Sequence, residues 1–129
     1  MCLLDGVLEC DAQHIRCVTR THLDIHNPMR SAQGLLALCG IEYAAQAMAI
    51  HGGMSGQISA RPRTGYLVGL RDITFHREQL DTLTDELIVE AEKLMGDNAR
   101  VIYQFRLHSG KQEVLSGRAT VVLDAGEVA

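Results

Sequence analysis

A carboxylate within an apolar stretch is the first feature of the sequence that suggests chemistry. Glu42 lies in the run 35–51, where most other side chains are apolar, and Gln46 follows four positions later. This spacing puts both on one helix face, so Gln46 can hydrogen-bond to the carboxylate. Burial without a nearby cation raises the pKa of a carboxyl group, which can then donate a proton near neutral pH. We therefore predict a general acid at Glu42; a structural role at a solvent rim or in an ion pair is the alternative.

A cluster of titratable side chains precedes this run, at His22, Asp24 and His26. A neutral imidazole is a natural general base at pH 7, and a loop could bring it to Glu42 across a subunit interface. Both histidines compete for this role, and a solvated loop histidine is the alternative reading of either one. Their spacing matches neither HExxH nor CxxC, and no nucleotide-binding or serine-nucleophile motif occurs, so no metal and no cofactor are predicted.

One helix and six strands must position these groups. The run from Leu35 to His51 is typical of a buried helix that ends at Gly52-Gly53, and it is too short and too polar for a membrane span. Two strand-like segments, Cys2–Cys10 and His14–Thr21, precede it with a short turn between them. The remaining histidines considered, at the helix end and on strands, are assigned to the surface; they are His51, His76 and His108.

The later half of the chain alternates apolar and polar residues. A strand from Tyr66 to Phe75, with a candidate bulge at Gly69, precedes three segments whose period of two predicts half-buried strands. The inward-facing residues of those segments are Leu87, Val89, Ala91, Val101, Tyr103, Phe105, Leu107, Leu115, Gly117, Ala119, Val121 and Leu123. Turn residues at 96–98 and 109–111 favour antiparallel pairing of these strands.

An antiparallel sheet wrapped around one long central helix hides this helix most economically. We therefore predict an α+β hot-dog fold in the order β-β-α-β-β-β-β, as a single domain over residues 1–129. One such sheet leaves edge strands and helix ends uncovered, which predicts pairing with a second subunit.

The composition of the chain disfavours some classes of function. The chain has 129 residues, 47% of them hydrophobic, and a formal charge of −4, which disfavours nucleic-acid binding. Its four cysteines form no CxxC pair and no export signal is visible, so we expect a reduced, cytoplasmic protein. Several arginines could gather to meet an acidic partner; they are Arg61, Arg63, Arg71 and Arg77.

Three stretches carry a resemblance to a known family. Residues 3–8 (LLDGVL), 40–46 (GIEYAAQ) and 66–69 (YLVG), together with 117–121, resemble the β-hydroxyacyl-carrier-protein dehydratases of the hot-dog superfamily. The GIEYxxQ form after His-x-x-x-x-Asn-Pro is most similar to the branch associated with aryl-polyene and polyketide-like clusters. The resemblance implies dehydration of a 3-hydroxyacyl thioester on acyl carrier protein to the trans-2-enoyl product, in a homodimer or a heterodimer with another hot-dog subunit.

The resemblance also implies roles for particular residues. Glu42 matches the helix acid and Gln46 its usual neighbour, while a backbone amide near Ala37 would polarise the thioester carbonyl. It favours His22 as the base that removes the α-proton and leaves His26 as the alternative. The family's Pro-Gly at the helix start is replaced by Leu36-Ala37, and its Pro-Gly-Asp before the fourth strand by residues 81–85. A hot-dog thioesterase and a non-catalytic subunit are the alternative functions.

Overall fold

The computed structural model of the chain describes residues 2–54, 65–97 and 99–123. Its strands and helix follow the predicted order β-β-α-β-β-β-β. They are β1 (Gly6–Cys10), β2 (His14–Thr19), α1 (Gly40–Met54), β3 (Gly65–Phe75), β4 (Leu87–Gly96), β5 (Arg100–Ser109) and β6 (Gln112–Leu123). None of the described helices combines the length and hydropathy needed to cross a bilayer.

The six strands form one antiparallel sheet in the order β1-β2-β4-β5-β6-β3. Strands β4, β5 and β6 are consecutive neighbours, as their turn residues predicted. In the first turn the Asp97 carboxylate accepts hydrogen bonds from the backbone N–H groups of Ala99 and Arg100, and in the second Gly110 has a positive φ of 60°. The meander therefore follows from local turn chemistry; Asn98 lies outside the described residues.

The core lies between one face of this sheet and α1, which packs against β2, β4 and β5. The period-two prediction is confirmed for β4 and β5, whose inward residues from Leu87 to Ala91 and from Val101 to Leu107 are buried. From the helix, Tyr43, Ala44 and Ala47 are fully buried against them. Each fully buried side chain of Leu or Phe size contributes roughly 1.5–3 kcal/mol, so this layer holds the helix in place.

Strand β3 lies at one edge of the sheet and is irregular in two places. Its register with β6 shifts between Leu67 and Gly69, which confirms the predicted bulge, and again between Arg71 and Thr74. At the second shift Asp72 has a φ of 56°, a left-handed conformation that few residues other than glycine adopt. The extra residue turns Ile73 over Gly117, where an added Cβ would collide with it.

The helix begins at Gly40, five residues later than the predicted start at Leu35. Leu36 is instead extended and pairs with Gln79. In this pairing the Leu35 carbonyl accepts from the Leu80 N–H and the Ala37 N–H donates to the Glu78 carbonyl, each at 2.8 Å. A short 3-10 turn at residues 37–39 then leads into the helix. The predicted stop at Gly52-Gly53 is also wrong, since α1 continues to Met54; glycine weakens a helix by about 1 kcal/mol without forbidding it.

Candidate active site

His22 lies on a short 3-10 turn, Thr21–Leu23, directly after β2, and has no exposed surface in the single chain. Its Nε2 is 2.9 Å from the carbonyl oxygen of Leu83 and 3.1 Å from that of Asp85. Carbonyl oxygens only accept hydrogen bonds, so Nε2 must carry the proton in both contacts. These two carbonyls therefore fix the ring orientation and assign the Nε2–H tautomer.

The other ring nitrogen, Nδ1, is buried and has no hydrogen-bond partner among the described residues. Burial lowers the pKa of His22, and it outweighs the two carbonyl contacts, which act in the opposite direction. The imidazole is therefore neutral near pH 7, with a lone pair on Nδ1 and no donor to occupy it. A buried polar atom without a partner is uncommon and costs roughly 1–3 kcal/mol, whereas a proton acceptor held in this way is suited to general-base chemistry.

A hydrogen-bonded group of three side chains joins the His22 turn to α1. The Tyr43 hydroxyl is 2.8 Å from the Thr21 hydroxyl, and the Asn27 side-chain amide donates to it at 3.0 Å. Asn27 also donates to the Thr21 carbonyl at 2.9 Å and is itself buried. The sequence motifs contain all three residues but gave none of them a role. The signal that could have found them is a phenol at position 43 within a mostly apolar helix, because a buried phenol requires a polar partner.

Glu42 lies on the open face of α1, away from the sheet, and its side chain is exposed in the single chain. The expectation of a carboxylate buried by its own chain is therefore wrong, because one sheet covers only one side of this helix. The predicted neighbour is present: the Gln46 amide Nε2 lies 3.4 Å from the Glu42 carboxylate. Since the Gln46 Oε1 accepts from the Leu3 N–H at 2.7 Å, the amide orientation is fixed and its donors face Glu42.

The structure does not bring the predicted acid and base together within one chain. Among the residues that the structure describes, no hydrogen bond or ion pair joins Glu42 to His22 or to His26. His26 is exposed, and its backbone N–H donates to the Asp24 carboxylate at 2.8 Å, as in a solvated loop. The single chain therefore shows neither histidine in direct contact with the predicted acid.

The amide predicted to polarise the carbonyl is occupied. The Ala37 N–H, at the first residue of the 3-10 turn before α1, donates to the Glu78 carbonyl at 2.8 Å. It is not available to a thioester carbonyl in this conformation, and this prediction is corrected.

His51 also differs from its prediction. It was assigned to the surface, but it is buried in the last turn of α1, where Nδ1 contacts the Tyr103 hydroxyl at 2.7 Å and Nε2 contacts the Asp11 carbonyl at 2.8 Å. His76 is exposed, as predicted, and His108 is partly buried beside the Glu90 carboxylate at 2.7 Å. The helix period agrees with this burial, because Ala44, Ala47 and His51 are spaced i, i+3 and i+7 and share one buried face. The sequence did not single out that face, because the helix is apolar on most sides.

A cavity of about 220 Å³ opens beside the loop that holds His22. Its lining is polar and includes no residue of α1, so it is not the apolar tunnel along the helix that a long acyl chain would need. It is lined by Arg77, Thr82, Leu83, Thr84, Asp85, Ser109 and Gln112. Within the described ranges no group of histidine, cysteine and acidic residues is arranged to hold a metal ion.

Solved structures with the same architecture are hot-dog proteins. The dehydratase heterocomplex ApeI:P from Xenorhabdus doucetiae superposes with a TM-score of 0.80 at 20% identity, covering 96% of this chain and 84% of that chain. A thioesterase mutant from Pseudomonas aeruginosa gives 0.68 at 11% identity, covering 91% and 78% of the two chains. Thioesterase superfamily member 2 from Mus musculus gives 0.65 at 12% identity, covering 91% and 80%. The chain thus has a hot-dog fold.

A family model gives a narrower assignment of this chain than the fold alone. The model of the ApeP-like family, described as ApeP dehydratase, matches residues 1–128. The chain belongs to this family. Among curated proteins, no sequence matches it significantly.

Proposed function

We propose that the chain acts in a dehydratase that converts a 3-hydroxyacyl thioester on acyl carrier protein to the trans-2-enoyl thioester. Membership of the ApeP-like dehydratase family supports the reaction class. The observation that carries the residue assignment is the neutral His22 imidazole, which has its Nε2–H held by two carbonyls and its Nδ1 unpartnered. His22 is therefore the proposed base and Glu42 the proposed acid.

In the proposed reaction, His22 Nδ1 removes the proton from the α-carbon of the substrate. The electron pair of that C–H bond forms the new double bond between the α- and β-carbons, while the bond from the β-carbon to the hydroxyl oxygen breaks. The departing oxygen takes the proton of the Glu42 carboxyl group and leaves as water. Transfer of a proton from the imidazolium to the carboxylate then restores both groups.

A second hot-dog subunit is the proposed partner, because apolar side chains at the sheet edge and the proposed acid are exposed to solvent in the single chain. Edge strand β3 exposes Leu67, Val68 and Leu70, and Glu42 lies on the uncovered face of α1. Burial of Glu42 by a subunit would favour its protonated form, which an acid requires. The heterocomplex found for the similar ApeI:P structure supports a heterodimer, and a homodimer is the other arrangement that we propose.

The test is conversion of a 3-hydroxyacyl carrier protein, followed by mass spectrometry for the loss of one water. The chain would be assayed alone and after coexpression with an ApeI-like subunit. Glu42→Gln keeps the shape of the side chain and removes its acid, so we expect turnover to fall roughly 100-fold or more. Glu92→Gln, on the exposed face of β4, is the matched control and should turn over normally. Undiminished turnover by Glu42→Gln would exclude the proposed acid.

The same assay separates the two alternative functions. A thioesterase would release free acid and free thiol in place of an enoyl thioester. The non-catalytic alternative has a specific observation in its favour, because His22 has no exposed surface and a substrate reaches it only if the surrounding loop opens. If the complex dehydrates its substrate at the same rate with Glu42→Gln or His22→Gln in this chain, the partner supplies the working residues.

The proposed docking surface for the acidic carrier is a pair of arginines on the outer side of the sheet. Arg71 on β3 is directly opposite Arg118 on β6, and both are exposed. Like charges in this position repel, and no carboxylate of the described residues forms an ion pair with either. Of the other arginines predicted from the sequence, Arg77 donates to the Gln112 side chain, whereas Arg61 and Arg63 lie outside the described residues.

Docking is tested with two substrates that differ only in the carrier. Replacing both Arg71 and Arg118 by glutamine should raise KM several-fold for the carrier-bound substrate and leave KM for a pantetheine thioester unchanged. Arg106→Gln is the control, because its guanidinium is already paired with Glu90 and Glu113. Equal effects on both substrates would mean that the arginine pair does not bind the carrier.

A further inference from the structure

Tyr43 connects the two parts of the molecule that carry the proposed acid and base. It follows Glu42 on α1 but points the other way, into the core, where its side chain is fully buried. Its hydroxyl lies 2.8 Å from the hydroxyl of Thr21, the residue immediately before His22. The residue that follows the proposed acid thus contacts the residue that precedes the proposed base.

Asn27 completes this link, and its orientation is fixed by its partners. Its Nδ2 is 2.9 Å from the Thr21 carbonyl, which can only accept, and its Oδ1 is 2.9 Å from the Met29 N–H, which can only donate. The second Nδ2 proton is therefore directed at the Tyr43 oxygen, 3.0 Å away. Asn27 closes the loop that follows His22 against the same phenol.

The directions of the remaining bonds follow from counting protons. Because the Tyr43 oxygen accepts from Asn27, its single proton is free to be donated to the Thr21 hydroxyl. The Thr21 hydroxyl in turn has two acceptors within reach, the Leu3 carbonyl at 2.6 Å and the Thr19 hydroxyl at 2.9 Å, and Thr19 also donates to the Leu3 carbonyl at 2.6 Å. The chain of donors ends on a backbone acceptor and each hydroxyl is satisfied, so the geometry of the turn is over-determined.

We infer that Tyr43 and Asn27 are positioning residues, which hold the His22 turn in register with the helix that carries Glu42. This inference rests on the proposed function and deepens it. The turn itself has only three residues and no side-chain cap. The Asp5 carboxylate and the Thr19 hydroxyl hold its start, by accepting from the backbone N–H groups of Arg20 and Thr21 at 2.7 and 3.0 Å. The contacts to Tyr43 and Asn27 join it to α1. A displacement of a catalytic group by about 1 Å can lower the rate roughly 100-fold.

The experiment compares two buried phenols. Tyr43→Phe removes the hydroxyl of the link, and Tyr103→Phe removes an equally buried hydroxyl that contacts His51 instead. Both variants should lose a few degrees of melting temperature, because each leaves buried polar groups without a partner. Only Tyr43→Phe should lower kcat, by roughly 10- to 100-fold with little change in KM, and shift the acidic limb of the kcat/KM profile that reports His22.

A second readout does not depend on turnover. In the uncomplexed protein, ¹⁵N NMR of the His22 ring reports its tautomer and its titration. We expect Tyr43→Phe to move the Nδ1 and Nε2 signals of His22 and Tyr103→Phe to leave them unchanged. If no form of the protein dehydrates a substrate but these signals move as expected, the proposed function fails while the positioning inference stands.

Position 21 provides a conservative pair if Tyr43→Phe does not fold. Thr21→Ser keeps the hydroxyl and should retain kcat and the His22 signals, whereas Thr21→Val keeps the shape and should reproduce the Tyr43→Phe defect. Equal loss of kcat in Tyr43→Phe and Tyr103→Phe, or unchanged His22 signals in both Tyr43→Phe and Thr21→Val, would overturn the inference.

Discussion

Two buried histidines, His22 and His51, differ in what their ring nitrogens contact. Burial lowers the pKa of both, so both are neutral near pH 7. His51 uses both nitrogens, one on the Tyr103 hydroxyl and one on the Asp11 carbonyl. His22 uses Nε2 alone, and its Nδ1 has no partner in the described part of the chain. A buried imidazole with both nitrogens hydrogen-bonded is accounted for by its structural role. A buried imidazole with one unpartnered nitrogen needs a further explanation, such as a role in function.

The surroundings of the two residues are consistent with this difference. The His51 ring meets the Tyr103 ring edge-on, with centroids 5.4 Å apart and an angle of 87° between the planes, and it ties the end of α1 to β5 and to the β1–β2 turn. His22 ties a short turn to the loop before β4, which borders a polar cavity. Both ring nitrogens of His51 thus have hydrogen-bond partners, whereas Nδ1 of His22 has none among the described residues.

The largest expected effect is on activity. His22→Gln removes the proposed base and should lower kcat roughly 1000-fold, within the range for loss of a general base. His51→Gln removes two satisfied contacts and should leave kcat within about twofold while lowering the free energy of unfolding by about 1–3 kcal/mol. Steady-state dehydration assays and urea denaturation of both variants test this. A large loss of kcat in His51→Gln with normal activity in His22→Gln would reverse the comparison.

The second expected effect is a pH dependence of stability that both histidines share. Their pKa values are lowered in the native state, whereas the unfolded chain has an ordinary value of about 6.5. As the pH falls through that value, the unfolded chain binds protons that the native chain does not. Native stability is therefore lost toward acid, by at most about 1.4 kcal/mol per pH unit for each histidine.

Urea denaturation between about pH 5.5 and 7.5 measures this slope. His22→Gln and His51→Gln should each flatten it, since each removes one proton-linked group. The carboxylates with lowered pKa values, Glu90, Asp97 and Glu113, lose their contribution only at lower pH. A slope that neither buried-histidine variant changes would contradict the assignment of neutral buried rings.

A smaller effect is expected at Gln46, which contacts both the fold and the proposed site. Gln46→Leu should cost about 1–2 kcal/mol of stability, because the Leu3 N–H loses its acceptor, and lower kcat roughly tenfold through loss of the donor to Glu42. Gln46→Glu keeps an acceptor for Leu3 but removes the amide N–H that is directed at Glu42. It should retain most of the stability and still lose activity. If Gln46→Glu retains both, the contact to Glu42 has no role in catalysis.

The fold could be predicted from the sequence because its signals are local. Alternation with a period of two, the turn residues and the glycine at the β3 bulge each specify structure within a few positions. The start of the helix could not be predicted in this way, because it depends on backbone hydrogen bonds between residues 35–37 and 78–80, which are far apart in the chain. A sheet partner at that distance has no signature in the sequence itself.

The candidate site could be predicted from the sequence only in part, for the same reason. Residue type and spacing identify Glu42 with Gln46, and they identify His22 as a candidate. What separates His22 from His51 is the Tyr103 hydroxyl on the second ring nitrogen of His51. Tyr103 lies 52 positions away in the chain, so the spacing of residues does not reveal this contact. Asn27 illustrates this: within an Asn-Pro motif it resembles ordinary loop sequence, yet it is buried on Tyr43.

The smallest expected effect is at His26, the histidine that competes with His22 in the sequence. His26→Ala should change the free energy of unfolding by less than about 0.5 kcal/mol and kcat by less than about twofold, because the side chain is exposed and the contact to Asp24 uses only the backbone N–H. The variant should be assayed in the complex with its partner subunit, where an exposed imidazole could become buried. A loss of kcat there as large as that of His22→Gln, with unchanged stability, would transfer the role of base to His26 and leave the open nitrogen of His22 unexplained.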